Sequence, residues 1–388
     1  MKLVLMVATV FKFLNFEKSD IEILQSMGYE VHTATNMREA KWLQDDGTFE
    51  NNPIIRHQID FGRSPYSKDN IKAYKQLEKL LSEYQFELIH CHTPVAAAIT
   101  RIAANKYRKK ETKVIYTSHG FHFHKTSSLK SWLLYYPIEK MLASRTDVII
   151  TINKEDYSVI QKFRVKEKRY IPGVGVDVDH IHSLKVDRNE ILGEFGIPEN
   201  AFVILTIGEL SDRKNQSVVI KALKSFKKES IYYILCGTGQ KEQGYKKLAK
   251  KTGLENHVIF AGQRDHEWVM KLAHAVDLGA IPSKIEGLGL AGIEILAAGT
   301  PLIGSDVHGI KDYLIDGKTG ISCNPNNYKS FSEAIYKLLN NKKYYKQVSL
   351  SAYSIAAQFD ISISRKTMIE IYSKLLGNNS LKGEQCKK

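Results

Sequence analysis

Apolar residues follow two different spacings along this 388-residue chain, and the two spacings alternate. Short runs of apolar and β-branched residues predict strands, whereas apolar residues that recur every three or four positions predict helices. Regular alternation of the two is typical of parallel sheets built from βαβ units. The predicted strands are residues 3–8, 30–35, 88–92, 113–118 and 147–152 in the first half, and 201–207, 231–236, 258–260, 278–282 and 301–304 in the second.

Helical spacing is clearest in residues 67–84, where Ile71, Leu77 and Leu80 share one face and lysines occupy the others. We expect this apolar face to pack in a core, with contact to a membrane surface as the alternative. The other predicted helices are residues 217–228, 244–252 and 362–376.

A Pro/Gly-rich segment at residues 171–177 interrupts the pattern and marks a domain boundary. We therefore expect an α/β fold with two Rossmann-like, doubly wound domains, residues 1–175 and 176–361, facing across a cleft. Such domains bind ligands at the carboxyl ends of their strands. The helix at 362–376 is expected to cross back to the first domain, followed by a polar tail at 377–388.

Several classes of protein are excluded by the composition. No stretch approaches the roughly 20 apolar residues of a membrane-spanning helix, and the N-terminal run is predicted to be a buried strand rather than a cleavable signal. The four cysteines are far apart and form no Cys-x-x-Cys pair. A zinc-binding or disulfide framework is therefore not expected, and the cysteine usage fits a reducing cytosol.

The net charge of +14 indicates polyanionic partners. Residues 101–113 alone carry six basic residues and one acidic residue, and this segment is a second candidate for contact with an anionic membrane surface. No nucleic-acid-binding motif accompanies the charge, so nucleic acid is not expected as a partner. A solvated basic face with no partner remains the alternative.

The most specific motif begins at Glu286 and ends at Pro301, with the pattern E-G-x-G-x-x-x-x-E-x-x-A-x-G-T-P. A strand ends before it, and its glycine-rich loop leads into a short helix that is expected to end at Gly299. Glycines let backbone N–H groups approach a ligand, and a helix start favours an anion. The carboxylates of Glu286 and Glu294 are suited to accept hydrogen bonds from a donor hexose and a ribose.

This motif strongly resembles the signature of the family-four glycosyltransferases, which are retaining enzymes of the GT-B fold that use nucleotide sugars. The resemblance implies that Glu286 is catalytic and that Glu294 binds the donor. It also implies donor contacts from the intervening loop, at Gly287, Leu288, Gly289 and Leu290.

Residues 206–215 resemble the phosphate loop of the same family. Gly208 permits a tight turn, and Lys214 supplies positive charge to a diphosphate as it leaves. Relatives often have an arginine after the glycine, where this chain has Glu209. We expect Arg213 to compensate, with an exposed, uninvolved arginine as the alternative.

Further donor contacts follow from the resemblance of two later segments. Gly237 lies in a Gly-x-Gly turn after a strand, and Gln263 and Arg264 follow a strand in the stretch that grips the nucleotide base in the family. The alternative for this stretch is an ordinary strand-to-helix turn.

Histidines follow two strands of the first half. His119 matches the family histidine near the donor sugar, and we assign it a catalytic role. His90 and His92 are predicted as loop or packing histidines. Neither histidine cluster shows a carboxylate at ligand spacing, so we expect no metal and no cofactor.

The loop after the first strand lacks the glycine pair of many relatives and resembles the subgroup that assembles exopolysaccharides and capsules. From this loop and the segment after His119 we expect acceptor contacts at Thr9, Phe11 and Phe121.

The resemblance implies transfer of a hexosyl or N-acetylhexosaminyl group from a UDP-sugar to a lipid-linked saccharide in surface polysaccharide synthesis. It also implies a cytoplasmic enzyme attached peripherally to the inner face of the plasma membrane. Two alternatives remain: a UDP-sugar epimerase of the same fold, and a non-catalytic subunit that binds nucleotide sugars.

Overall fold

In the computed structural model, strands from the two halves of the chain form two separate parallel sheets. The structure describes residues 2–38, 48–49, 52–108, 111–226 and 230–377. Its contacts divide the chain into a first unit, Met1–Val174 with Ser362–Lys388, and a second unit, Gly175–Ile361.

The strands are β1 (Leu3–Val10), β2 (Glu30–Asn36), β3 (Ile55–Gln58), β4 (Leu88–Cys91), β5 (Lys113–Ser118), β6 (Val148–Thr151), β7 (Glu167–Tyr170), β8 (Phe202–Ile207), β9 (Ile231–Cys236), β10 (Val258–Gly262), β11 (Leu278–Ile281), β12 (Leu302–Ser305) and β13 (Gly320–Cys323). The helices are α1 (Lys18–Ser26), α2 (Asp69–Glu83), α3 (Pro94–Ala103), α4 (Asn105–Arg108), α5 (Leu129–Ala143), α6 (Lys154–Ile160), α7 (Val178–Ser183), α8 (Arg188–Gly193), α9 (Ser217–Ala222), α10 (Glu242–Thr252), α11 (His266–Ala275), α12 (Leu290–Ala297), α13 (Tyr328–Asn340), α14 (Lys342–Ala356) and α15 (Ile361–Leu376).

Both sheets have the strand order of a doubly wound fold. The first runs β3-β2-β1-β4-β5-β6-β7 and the second β10-β9-β8-β11-β12-β13, with every recorded strand pair parallel. In each sheet the first strand lies beside the fourth, so the strand order reverses between β1 and β4 and between β8 and β11. This reversal is where such sheets bind ligands, just beyond the carboxyl ends of the strands. The predicted fold class is confirmed.

The last helix, α15, is tied to the first unit by a buried chain of polar groups. The Tyr372 hydroxyl donates to Asp20 Oδ2 at 3.0 Å and lies 2.8 Å from His90 Nδ1, while His90 Nε2 lies 2.8 Å from the Thr117 hydroxyl. Burial, together with the nearby His119, lowers the pKa of His90 to about 3. His90 is therefore a neutral packing histidine.

All ten predicted strands are present, and the strands that the sequence pattern did not reveal are β3, β7 and β13. Each of these lies at an edge of its sheet. The side chains of β3 and β7 are half-buried or exposed, because an edge strand is covered on fewer sides. Their sequences, Ile-Arg-His-Gln and Glu-Lys-Arg-Tyr, consequently lack the apolar run by which buried strands are recognised.

The predicted helices are also present, with small changes at their ends. The segment at 217–228 forms α9 and then a 3₁₀ turn at Leu223–Phe226, and its last two residues lie outside the described part of the chain. Helix α2 buries Ala73, Leu77, Leu80 and Leu81, so most of its apolar face packs in the core rather than facing a membrane. Ile71, at the start of the helix, is the exception and is 66% exposed. Residues 378–388 of the predicted tail also lie outside the described residues.

The basic segment at 101–113 is not a continuous exposed surface. Arg101 is fully buried, with Nη2 2.9 Å from Glu139 Oε2 and the guanidinium 4.0 Å from the ring centre of Tyr116. The expectation of a membrane contact is therefore wrong for Arg101, because its charge is used inside the first unit. Within the described residues, no helix combines the length and apolar character needed to cross a membrane.

Candidate active site

The glycine-rich loop of the second unit connects β11 to α12 and folds closely around Glu286. Gly289 precedes the first residue of α12 and has φ +86°. A β-carbon at this position would lie 2.8 Å from Glu286 Cγ and 2.9 Å from the Tyr313 hydroxyl. Glycine is therefore required here both for its backbone conformation and for the packing of Glu286 beneath the loop.

The carboxylate of Glu286 is buried and held by two basic side chains. Lys214 Nζ donates to Oε2 at 2.6 Å, Arg213 Nη1 donates to Oε1 at 3.4 Å, and the Ser283 hydroxyl donates to Oε2 at 3.0 Å. Burial raises the pKa of Glu286, but the charges of Lys214 and Arg213 and the hydrogen bonds outweigh burial and hold this pKa below its ordinary value. Glu286 is therefore a fixed anion, and Lys214 is held in one place.

Lys214 also lies over the backbone of Gly208, the first residue after β8. A β-carbon on Gly208, which has φ +134°, would lie 3.6 Å from Lys214 Cε. The next loop packs directly against this one, since a β-carbon on Gly237 would lie 2.2 Å from the Gly208 carbonyl oxygen. The Gly237 N–H in turn donates to the Gly262 carbonyl at 2.8 Å. Loops after β8, β9 and β10 thus form one continuous layer of backbone.

These groups lie where the second sheet reverses its strand order. Gly208 follows β8, and Glu286 belongs to the loop that follows β11, the neighbouring strand. A small cavity here is lined by Thr206 and Lys214 from the β8 side and by Pro282, Ser283 and Gly289 from the β11 side. The sheet therefore places a lysine, a carboxylate and a glycine-rich helix start around one point.

In the rest of the glycine-rich loop, mainly backbone groups are available to contact a donor. The Leu288 side chain is 2% exposed, so any donor contact must come from its main chain. A second loop presses against this one: the Gly309 N–H donates to the Glu286 carbonyl at 3.3 Å, and a β-carbon on Gly309 would lie 2.0 Å from the Gly287 carbonyl oxygen. Leu290 is the first residue of α12, whose first turn carries N–H groups without intrahelical acceptors.

Glu294 lies within α12 and pairs with His266 at the start of α11. The two side chains are 2.9 Å apart, between His266 Nε2 and Glu294 Oε1. The hydrogen bond to Glu294 raises the pKa of His266 above its ordinary value, although burial opposes this shift. Glu294 therefore has a partner of its own and does not share the cluster around Glu286.

Gln263 and Arg264 are both exposed after β10. Arg264 lies over the ring of Trp268, with 4.7 Å between guanidinium carbon and ring centre, and 4.0 Å from the Glu194 carboxylate. Arg264 is thus engaged within the second unit, whereas the described contacts give no role to the side chain of Gln263.

In the first unit, the equivalent reversal of strand order brings Glu17 next to two histidines. Glu17 ends a 3₁₀ helix, Phe11–Glu17, that follows β1, while His92 follows β4 and His119 follows β5. His119 Nε2 lies 3.2 Å from Glu17 Oε1 and 3.3 Å from His92 Nδ1. His119 is the member nearest to solvent, with 19% of its side chain exposed.

Two of the expected acceptor contacts are not supported by the positions of their side chains. Phe11 is 2% exposed and packs edge-on against Phe49, and Phe121 is 4% exposed within the hydrophobic core. Aromatic side chains in these loops fill the core instead of facing a ligand. Thr9 is 8% exposed, and its hydroxyl lies 2.9 Å from that of Thr93.

Comparison with known proteins decides the family. The model for glycosyl transferases group 1 matches residues 187–354, and the model for glycosyl transferase 4-like proteins matches residues 4–153. EpsD of Bacillus subtilis (strain 168), a provisionally assigned glycosyltransferase, is 32% identical over 96% of both chains. This chain belongs to the group 1 glycosyltransferases.

Two further proteins resemble this chain over most of its length, one in sequence and one in structure. An Escherichia coli protein named UDP-Gal:alpha-D-GlcNAc-diphosphoundecaprenol alpha-1,3-galactosyltransferase is 24% identical, over 70% of this chain and 71% of its own. The crystal structure of HepE from Anabaena in complex with UDP-glucose matches with a TM-score of 0.76 and 20% identity, covering 96% of this chain and all of HepE. The structural match supports the GT-B fold.

Of the residues predicted for the site of the glycosyltransferase, the structure brings Lys214, Arg213, Glu286, Gly208 and Gly289 together. Gln263, Arg264 and Glu294 lie apart from this cluster, and His119 belongs to the first unit. Sequence reasoning missed Ser283, Tyr313 and Glu17. Tyr313 carries no signal of its own, because it packs near Glu286 from another part of the chain. Ser283 lies only three residues before Glu286 but stands outside the motif that the sequence reveals.

Proposed function

We propose that this glycosyltransferase moves a hexosyl or N-acetylhexosaminyl group from a UDP-sugar, with retention at the anomeric carbon, to a lipid-linked saccharide. The observation that carries the proposal is the position of Lys214. Its ammonium group lies beside Gly208 and Glu286 at the reversal of the second sheet, where a diphosphate would meet both the lysine and the start of α12.

Leaving-group stabilisation is the main catalytic contribution that this arrangement supports. The bond between the anomeric carbon and the phosphate oxygen breaks, and the diphosphate gains negative charge. Lys214 and Arg213 are the nearby cations, so Arg213 can take the place of the family arginine replaced by Glu209. We infer that these groups hold the diphosphate without a metal ion.

Glu286 has two parts in this proposal. Before the donor binds, it holds Lys214 in place at 2.6 Å. When the diphosphate arrives, Lys214 can share its hydrogen bonds with the phosphate, and the carboxylate can accept a hydrogen bond from a sugar hydroxyl. Glu294 would accept hydrogen bonds from the ribose, and the ribose would compete with His266 for this carboxylate.

Retention and the role of His119 are drawn from the family resemblance. In the simplest path, the acceptor oxygen bonds to the anomeric carbon on the face from which the diphosphate leaves. Its proton passes to the departing phosphate oxygen, so no separate base is needed. His119 would contact the donor sugar, a role that a His119→Ala variant would test through turnover.

The nucleotide and acceptor classes are supported by relatives. HepE was crystallised with UDP-glucose, and the E. coli relative is named for UDP-Gal and a diphosphoundecaprenol-linked sugar. A UDP-sugar and a lipid-linked acceptor are therefore our proposal for this chain, together with surface polysaccharide synthesis as the pathway.

Peripheral attachment to the inner face of the membrane is supported by α5. Leu129, Leu133 and Met141 are 73%, 70% and 53% exposed on this helix. Exposed Lys130 and Lys140 flank them, and the acidic residue of α5, Glu139, is buried against Arg101. An exposed apolar face bordered by lysines without acidic residues suits an anionic lipid surface.

Vesicle sedimentation tests this attachment. We expect wild-type protein to sediment with vesicles containing phosphatidylserine, less so at high salt, and Leu129→Ser/Leu133→Ser to weaken binding. The matched control is Leu350→Ser on α14, since Leu350 is also 73% exposed. Equal sedimentation of all three proteins would contradict a lipid-binding role for α5.

The function itself is tested by a panel of UDP-sugars, assayed for slow hydrolysis and for transfer to undecaprenyl-linked saccharides. We expect turnover of at least one UDP-sugar and its loss in Lys214→Ala. Binding of UDP without turnover of any donor would instead favour a non-catalytic subunit, and interconversion of UDP-sugars without an acceptor would favour an epimerase.

A further inference from the structure

Three potential metal ligands in the first unit point at one another: Glu17 Oε1, His92 Nδ1 and His119 Nε2. The distances between them are 3.2 Å for Glu17 to His119, 3.3 Å for His92 to His119 and 3.5 Å for Glu17 to His92. Among the described residues, this is the one group of three or more His, Cys, Asp or Glu ligand atoms so close together.

The size of this triangle matches the face of a tetrahedral coordination shell. Protein ligands lie about 2.0–2.1 Å from a zinc ion, so two ligands of a tetrahedral site are about 3.3 Å apart. All three sides of the observed triangle lie within about 0.2 Å of that value. Two histidines and one glutamate, with a fourth position left open, are also a known ligand set for zinc.

Charge and hydrogen bonding also favour a cation at this point. Glu17 is 3% exposed, and no described residue donates a hydrogen bond with good geometry to Glu17 Oε1. Its basic neighbours at ion-pair distance, among the residues described, are the two imidazoles. A buried carboxylate without a hydrogen-bond donor needs a positive charge beside it.

The three ligands come from segments that are separate in sequence. They follow β1, β4 and β5 at the carboxyl edge of the first sheet, and the ring of Phe13 packs edge-on against His119 with 4.8 Å between ring centres. We propose that Glu17, His92 and His119 bind a divalent transition-metal ion of the zinc class. The partly exposed His119 marks the side from which a fourth ligand would enter.

This proposal does not rest on the diphosphate site proposed above. The inference replaces our expectation that the histidine clusters bind no metal, which assumed that no carboxylate lay nearby. It also has a consequence for His119: if Nε2 binds the ion, that nitrogen cannot also hydrogen-bond a sugar hydroxyl.

The test uses the full-length protein after treatment with a chelator. Titration with Zn²⁺ in a calorimeter should give one site per chain, and Co²⁺ should give the visible absorption of four-coordinate cobalt. Glu17→Gln and His119→Ala should each weaken Zn²⁺ binding by at least about tenfold. Glu17→Gln nearly preserves side-chain volume, and His119 is partly exposed, so neither change removes a large part of the core.

His122→Ala is the matched control, because His122 is exposed in the same segment and lies outside the cluster. It should leave Zn²⁺ affinity and the cobalt spectrum unchanged. The proposal is overturned if wild-type protein shows no one-to-one Zn²⁺ binding. It is equally overturned if Glu17→Gln and His122→Ala bind Zn²⁺ as wild type does, since the triangle would then be a proton shared among three polar groups.

Discussion

The two units of the glycosyltransferase have the same order in their central strands but opposite chemistry at the same edge. In the second unit, the reversal of strand order carries Lys214, Arg213 and a glycine-rich loop. In the first, it carries Glu17 and the histidines His92 and His119, and the loop after β1 has no glycine. One edge is built for an anion and the other, by our inference, for a cation.

This difference shows what the fold decides and what it leaves to the loops. Strand order fixes where a ligand can bind, because the strands on either side of the reversal leave an opening at their carboxyl ends. The residues immediately after each strand decide which ligand it is. The units also differ in how they use ion pairs: Arg101–Glu139 is closed inside the first, whereas Lys214–Glu286 faces the candidate site of the second.

The largest expected effect is a loss of stability when the buried ion pair Arg101–Glu139 loses its cation. Arg101→Met would leave the Glu139 carboxylate buried without its cation and should lower the free energy of unfolding by about 3–5 kcal/mol. Urea unfolding monitored by circular dichroism measures this. The double variant Arg101→Met/Glu139→Leu should recover much of the loss. A cost below about 1 kcal/mol for the single variant would mean that this pair resembles an exposed one.

Removing Lys214, the cation of the Lys214–Glu286 pair at the candidate site, should reduce turnover rather than stability. Lys214→Ala should reduce kcat by roughly 10²–10³-fold, the range for loss of one group that stabilises developing negative charge. Lys284→Ala removes an exposed lysine from the loop after β11 and should retain near-wild-type rates with the same UDP-sugar. Similar rates for both variants would argue against Lys214 as the diphosphate ligand.

Alanine substitutions at Gly289 and Gly299 distinguish a steric collision in the glycine-rich loop from the cost of a positive φ alone. Gly289→Ala should weaken UDP binding by about tenfold, or 1.4 kcal/mol, because its methyl group would collide with Glu286. Gly299 has a similar φ of +83° and nothing within 4 Å of its β-carbon position. Gly299→Ala should therefore cost only about 1–2 kcal/mol of stability. Calorimetric titration with UDP would distinguish them, and unchanged affinity in Gly289→Ala would exclude this loop from donor binding.

The smallest effect concerns pH. His266 has a raised pKa because of its hydrogen bond to Glu294, so the imidazolium persists above pH 6.5 and occupies that carboxylate. UDP affinity should rise by up to about fivefold as the pH passes upward through this raised pKa, since an exposed pair is worth at most about 1 kcal/mol. In His266→Ala the rise should be smaller, because only the terminal phosphate of UDP, with a second pKa of about 6, still titrates near that range. Identical pH profiles for wild type and His266→Ala would remove Glu294 from the ribose role.

The fold was predictable where strands are buried, whereas three edge strands, β3, β7 and β13, were missed and the edge strand β10 was predicted. Central strands such as β1 and β6 are almost wholly buried, so their apolar runs are unambiguous. The edge strands β3 and β7 need few apolar side chains, and pairing with a neighbouring strand rather than local sequence makes them strands.

The site was predictable where one contiguous motif carries it. The glycine-rich loop and the phosphate loop are each local in sequence, and the resemblance to family-four enzymes identified both. Glu17 could not be found in this way, because it meets His92 and His119 only after three strands align in the sheet. Sequence also does not reveal that the side chains of Phe11 and Phe121 turn inward, and their contact with an acceptor stays a prediction.

The central claim, that Lys214 holds the donor diphosphate, is tested most directly by comparing UDP with UMP. Calorimetric titration would measure both affinities in wild type, Lys214→Met and the control Lys284→Met. Because a hydrogen bond to a charged group contributes about 1.5–3 kcal/mol, UDP should bind wild type and the control at least about tenfold more tightly than UMP. In Lys214→Met, the preference for UDP should fall at least about tenfold relative to the control, and Arg213 and the start of α12 supply the preference that is left. An undiminished preference for UDP in Lys214→Met would contradict the account.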